Sequence, residues 1–155
     1  MVLRPASLTS RVLAVGDAEM FYARFPVVYN TVFDRSILEL WLADSTSGEL
    51  RGRDEIRETL RAQGITHIYV NWLEILRYRS PGNYGYTQFV TPERFAELQT
   101  LGILAAAWNI PEASLDLDRL DPLWRPELED WGAGLITRRP DGASFTTFQV
   151  FPVTP

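Results

Sequence analysis

The chain has 155 residues, the usual size of one domain and long enough to bury a sizeable core. Hydrophobic residues make up 46% and charged residues 23%, ordinary globular values that exclude disorder of the chain as a whole. A formal net charge of −5 argues against a nucleic-acid partner, which needs a basic face to neutralise phosphates, although Arg77, Arg79 and Arg94 offer a local basic patch.

The absence of cysteine removes disulfides, thiolate nucleophiles and thiolate metal sites, without fixing the compartment. His67 is the only histidine, so multi-histidine metal centres are excluded and a Ser-His-Asp triad has little to stand on. No apolar run approaches the roughly 18 residues of a membrane-spanning helix, and Met1 to Ser10 lacks a signal-peptide core. A soluble domain is expected from the sequence as given.

Residues 1–10 read as an arm or linker and residues 11–155 as a single α/β domain. Arg11 to Asp17 is a buried first strand that breaks at Gly16. Ala18 to Arg24 has room for two helical turns, with Met20, Phe21 and Tyr22 available for packing. Pro26 to Asn30 is a second, β-branched strand. Ser36 and Glu39 have capping-box spacing ahead of a short helix carrying Ile37, Leu38, Leu40, Trp41 and Leu42. After a loop from Asp44 to Gly52, Asp54 to Gln63 is a stronger helix. Ile56 and Leu60 share its face, and Gly64 sits at its end.

Ile65 to Asn71 is the third strand. Trp72 to Arg79 is expected to turn helically, burying Leu73 and Leu76 and exposing Glu74 and Arg77. Ser80 to Gln88 is a loop containing Ser80-Pro81-Gly82. Thr91-Pro92 supplies an N-cap and a proline at the first helical position, for a helix running to about Leu101 with Phe95 and Leu98 inward and Gly102 closing it. Ile103 to Trp108 is a fourth strand candidate. Asn109 to Trp131, rich in proline and carboxylates, reads as a surface excursion tacked down by Trp124 and Trp131. Leu135 to Arg138 and Ser144 to Val150 flank Pro140-Asp141-Gly142 as a hairpin. The element order implies a three-layer, mainly parallel Rossmann-like α/β sheet with a C-terminal antiparallel hairpin. Right-handed crossovers place the first strand centrally.

Ligands of such sheets sit beyond the carboxyl ends of the strands. Asp17, Asn30, Asn71 and Glu74 stand there, and Arg79, Asn83 and Tyr84 belong to the distinctive loop that follows. Together they are the candidate binding residues, suited to a sugar, a phosphate or a divalent cation. The competing explanation is local: Asp and Asn at strand ends commonly cap the next helix or stabilise a turn. Asp17 and Glu19 are an acid/base or metal pair on one reading and N-terminal helix charges on the other. His67 reads as a packed strand residue. Gly16-Asp17-Ala18 lacks the remaining glycines of a dinucleotide fingerprint, and there is no phosphate-cradling G-x-x-x-x-G-K-[ST] loop. Asp116-x-Asp118 lacks the glycine and distal glutamate of a calcium loop. No catalytic residue, metal site or cofactor is assigned.

Three phrases carry a family resemblance: Arg11-Val12-Leu13-Ala14-Val15-Gly16-Asp17-Ala18, Pro26-Val27-Val28-Tyr29-Asn30-Thr31-Val32-Phe33-Asp34, and Gly64 to Ile75 continuing through Tyr78-Arg79-Ser80-Pro81-Gly82-Asn83-Tyr84-Gly85. As a set they resemble the soluble C-terminal domain of bacterial polytopic membrane glycosyltransferases of the dolichyl-phosphate-mannose mannosyltransferase and aminoarabinose-transferase type. The similarity covers about Arg11 to Leu104. It implies a non-catalytic accessory domain on the extracytoplasmic, periplasmic face of the membrane. Its expected partners are the transmembrane portion of a parent protein or a membrane partner, and an acceptor or polyprenyl-phosphate-sugar headgroup. The family's catalytic acids lie between membrane helices, in segments with no counterpart here, so none is carried over. Two other readings remain open: a small metal-assisted hydrolase or transferase using Asp17, Glu19 and Asp34, and a structural module docking through Trp41, Trp108, Trp124 and Trp131.

Overall fold

A computed structural model describes residues 10–31 and 33–155, so all but the last residue of the expected arm, and Val32, lie outside the described residues. Strand β1 (Val12–Val15) is buried along its whole length, as an apolar run covered on both faces must be. It pairs in parallel with β2 (Val27–Val28) on one side and with β3 (His67–Asn71) on the other. The C-terminal strand β7 (Phe148–Pro152) then adds antiparallel to β3, giving the order β2-β1-β3-β7. The first strand is therefore internal, where right-handed crossovers put it.

The period of two along these strands divides the core. Leu13, Val15, Ile68 and Val70 point to the larger cluster, while Val12, Ala14 and Tyr69 point to a smaller one on the opposite face. Helices α1 (Ile37–Leu42) and α2 (Arg53–Ala62) connect β2 to β3 and bury Leu38, Leu42, Ile56 and Leu60 in the larger cluster. Gly64, at φ +67°, closes the turn into β3. Helix α3 (Trp72–Arg79) starts directly from β3, and α4 (Pro92–Thr100) opens on the Thr91 cap, whose Oγ1 accepts from Arg94 N at 3.1 Å. Trp72 is the hub of this side. Its ring meets Phe95 and Trp131 edge-on, each at 5.4 Å, and its Nε1 donates to Gln149 Oε1 at 2.9 Å.

Three expectations are corrected along the first two-thirds of the chain. Ala18 to Arg24 makes a single tight turn, Met20–Tyr22, in which Met20 packs inward and Phe21 and Tyr22 face solvent. The capping box of α1 does not form: Ser36 makes no cap bond, and Asn30 Oδ1 instead accepts from Ile37 N at 3.2 Å. Ile103 to Trp108 is not a strand. It runs beside β7 with one bridge, Leu104 to Val153, and donates from Ala105 N to Pro152 O and from Trp108 N to Val150 O, both at 2.9 Å, without forming a continuous ladder. The place beside β3 goes to β7.

The hairpin also departs from expectation. Strands β5 (Ile136–Arg139) and β6 (Gly142–Thr146) pair across Pro140-Asp141, but they join β4 (Ser114–Asp116) in a separate antiparallel sheet of order β4-β6-β5. The expected strand from Ser144 to Val150 breaks at Thr147. That residue donates its N–H to Ala113 O at 2.8 Å and accepts from Leu73 N at 3.1 Å, passing the chain from one sheet to the other. Between β4 and β5, helix α5 (Arg125–Trp131) buries Leu128, and Trp124 and Trp131 pack on the core. The fold is a mixed α/β domain: one mostly parallel sheet and one antiparallel sheet. No helix among the described residues is long and apolar enough to cross a membrane.

Candidate functional site

The connections leaving β1 and β2 run to opposite sides of β1, so the order reverses there and leaves a crevice beyond the carboxyl ends of β1 and β3. Gly16 makes the turn into it at φ +76°. A Cβ at this position would meet Ile75 Cγ1 at 2.6 Å, so the glycine also lets α3 come close. Asp17 then lies against β3. Its Oδ2 accepts from the Tyr69 hydroxyl at 3.2 Å and from Asn71 Nδ2 at 3.1 Å, and its Oδ1 accepts from Glu19 N at 2.9 Å.

Asn71 is shared between two tasks. While its amide nitrogen donates to Asp17, its Oδ1 accepts from Glu74 N at 3.1 Å and caps α3. The Glu74 carboxylate is gripped by Arg77, whose Nε donates to both oxygens at 3.1 Å. Burial, followed by the charge and hydrogen bond of Asp17, pushes the Tyr69 hydroxyl far above its ordinary pKa, so it stays a donor. Asp17, Asn30, Tyr78 and Tyr86 border the remaining gap, which does not admit even a water molecule.

The other candidates are placed apart from this network or beside it. Asn30 caps α1 through Oδ1 and donates Nδ2 to Thr31 O at 3.0 Å. Arg79 has a side chain only 2% exposed. Its guanidinium donates to Glu127 Oε1 and Val90 O, both at 2.8 Å, and to Thr87 O, so it ties α3 to α5 and to the turn before α4. Burial lowers its pKa and the Glu127 carboxylate opposes that shift. Asn83 donates to Ser80 Oγ at 2.8 Å within its own loop. Tyr84 is 70% exposed and meets the ring of Phe33, 78% exposed, at 5.2 Å. Asp34 serves a local turn, its Oδ2 accepting from Thr31 Oγ1 at 2.8 Å. Among the described residues no three histidine or carboxylate side chains converge in a way that could hold a metal ion.

Sequence reasoning missed Tyr69, although its alternation with His67 and Asn71 puts all three on one face of β3. It also missed a cleft of about 600 Å³ between the two sheets, walled by Trp108, Phe148 and the outer faces of β5 and β6. The signal was the alternation of Thr137 with Arg139 and of Ser144 with Thr146.

Fold and geometry together define a two-sheet mixed α/β domain with a closed polar network at its strand ends and an open cleft between its sheets. No protein-family model, curated protein or solved structure matches this chain.

Proposed function

We propose that this chain is a non-catalytic binding domain, the extracytoplasmic accessory part of a membrane glycosyltransferase-like protein. Its first partner is the membrane-embedded portion of that protein or a membrane partner, and its ligand is an acceptor or lipid-linked sugar headgroup. In this reading the parallel β2-β1-β3 unit is the centre of a three-layer Rossmann-like arrangement.

One observation carries the reading. Four aromatic rings stand in solvent on the segments that leave the parallel strands: Phe21 and Tyr22, 63% and 82% exposed, after β1, and Phe33 after β2 with Tyr84 packed against it. Each pair packs ring against ring in solvent, Phe21 on Tyr22 at 4.2 Å and Phe33 on Tyr84 at 5.2 Å, and clustered exposed aromatics of this kind favour contact with another body. The resemblance across Arg11 to Leu104 supports the membrane context. The closed network at Asp17 and Asn71 speaks against chemistry at the strand ends, because its polar groups already satisfy one another. A metal-assisted hydrolase would need carboxylates that converge, whereas Asp17 is taken up by Tyr69, Asn71 and the Glu19 N–H and Asp34 serves a separate turn at Thr31.

The test is to blot fractionated source cells with an antibody to this domain. A band of several tens of kilodaltons in the membrane fraction is expected. A soluble species of 17.7 kDa overturns the proposal.

A further inference from the structure

We propose that the cleft between the two sheets is a binding site for a saccharide ring that carries an anionic group, a carboxylate or a phosphate. The site goes beyond the docking surface proposed above and is formed by different residues, so it is tested in solution without reference to any membrane.

The cleft exists because the chain changes sheet at Thr147. Strand β6 leaves the antiparallel sheet there and continues as β7 in the main one, and the angle between them opens a volume of about 600 Å³. That lies inside the roughly 300–1,000 Å³ usual for small-molecule sites. Phe145 points away from it into the core at the same step that turns Ser144 and Thr146 toward it. The wall is therefore a strand face carrying hydroxyls, and Thr137 extends it across the hairpin from its paired position opposite Ser144.

None of these three hydroxyls has a hydrogen-bond partner within the chain among the described residues. Gln149 is held from behind, where its Oε1 accepts from Trp72 Nε1, and its amide nitrogen is left over for the cleft. Hydroxyls that both donate and accept, next to an amide donor, match the mixed donor and acceptor groups around a sugar ring. They match neither an apolar ligand nor a simple ion.

Trp108 supplies the platform. Its ring is 38% exposed, lines the cleft, and is steadied by edge-on packing against His67 at 5.0 Å. An aromatic face offers a pyranose its flat apolar side while the hydroxyls at the ring's rim reach the strand wall. Charge then narrows the class. Arg139 lines the cleft without an ion-pair partner among the described residues, and no carboxylate lies along the walls. A positive site in a chain of net charge −5 favours an anionic substituent, which a guanidinium can grip through two parallel N–H groups.

The experiment is an amide NMR titration of the full chain with glucose, glucuronate, glucose 1-phosphate and inorganic phosphate. The expected result is shifts in 137–149 and at the Trp108 indole, with the two acidic sugars binding roughly tenfold tighter than glucose. Arg139→Gln should bring acidic and neutral sugars to equal affinity. Trp108→Ala should abolish binding of all three. Should Trp108→Ala fail to fold, the double variant Ser144→Ala with Thr146→Val takes its place and should weaken every sugar alike. A water-soluble prenyl-phosphate sugar distinguishes the source: tighter binding than glucose 1-phosphate marks a lipid-linked headgroup, and equal or weaker binding a free sugar acid, either of which upholds the site. The proposal is overturned if inorganic phosphate binds as well as glucose 1-phosphate, if shifts gather around Asp17 and Asn71 instead, or if no sugar produces shifts.

Discussion

At the carboxyl ends of β1 and β3, polar side chains face one another; between the two sheets, they face open space. Asp17 collects three donors, Asn71 bonds in two directions, and Glu74 is held by Arg77. In the cleft, Thr137, Ser144, Thr146 and Arg139 have no such partners among the described residues. The physical difference is solvent access. A polar group shielded from water must find a partner in the chain or cost stability, whereas one that faces a water-sized space can wait for a ligand. Unused hydrogen-bonding capacity is therefore a sharper pointer to a ligand site in this molecule than a position at the switch point of its sheet.

The comparison is tested most strongly at its two cationic positions. Arg79→Leu leaves the Thr87 and Val90 carbonyls without their donor and the Glu127 carboxylate without its charge partner. A loss of about 3 kcal/mol in urea unfolding is expected. Arg139→Gln, on the exposed end of β5, should stay within about 0.5 kcal/mol of the parent. Similar losses at both positions would erase the distinction between a structural and a ligand-directed arginine.

Asn71→Ala comes next. It removes the cap of α3 and one donor to Asp17, for a loss of roughly 1–2 kcal/mol by the same measurement. A stability unchanged by this substitution would return Asn71 to the list of ligand-binding residues, since a free amide is what the strand-end reading requires.

His67 links the cleft wall to pH. Burial lowers its pKa below the ordinary 6.5, so the folded chain resists protonation that the unfolded chain accepts. As pH falls below 6.5 toward the folded value, the unfolded state binds more protons and stability declines. Melting temperatures measured from pH 7.5 downward, about ten values spanning the acid range, should fall less steeply for His67→Gln than for the parent. Equal slopes would mean that His67 is not shielded and that the Trp108 platform is not held as described.

Much of this was legible in the sequence, and the misses have specific causes. The apolar runs at Val12 and Ile65 and the cap-proline pair Thr91-Pro92 announced the parallel strands and α4 correctly, because local chemistry and tertiary packing agree there. Asp17 and Asn71 were rightly placed at one strand-end edge. Their mutual bonds were not legible, since bonding across fifty residues depends on strand register and not on local pattern. Arg79 looked like a loop cation because nothing near it in sequence announces Glu127. The division at Thr147 was hidden for the opposite reason: Ser144 to Val150 has unbroken β character, and only tertiary contacts with Ala113 and Leu73 decide that it serves two sheets.

The smallest expected effect is the most discriminating one. Ser144→Ala together with Thr146→Val deletes two hydroxyls from the cleft wall while keeping the strand's shape and its ladder to β4 and β5. If those hydroxyls serve no internal bond, the double variant should unfold within about 0.5 kcal/mol of the parent, and the β-branched valine can offset part of any loss. A deficit above about 1 kcal/mol would instead show that the wall is held together by its own hydroxyls, as the strand-end crevice is. The two regions would then be alike in their chemistry. Their difference in volume alone would be too little to single out the cleft, because an open space between sheets acquires chemical meaning only from polar groups that the fold has left unsatisfied.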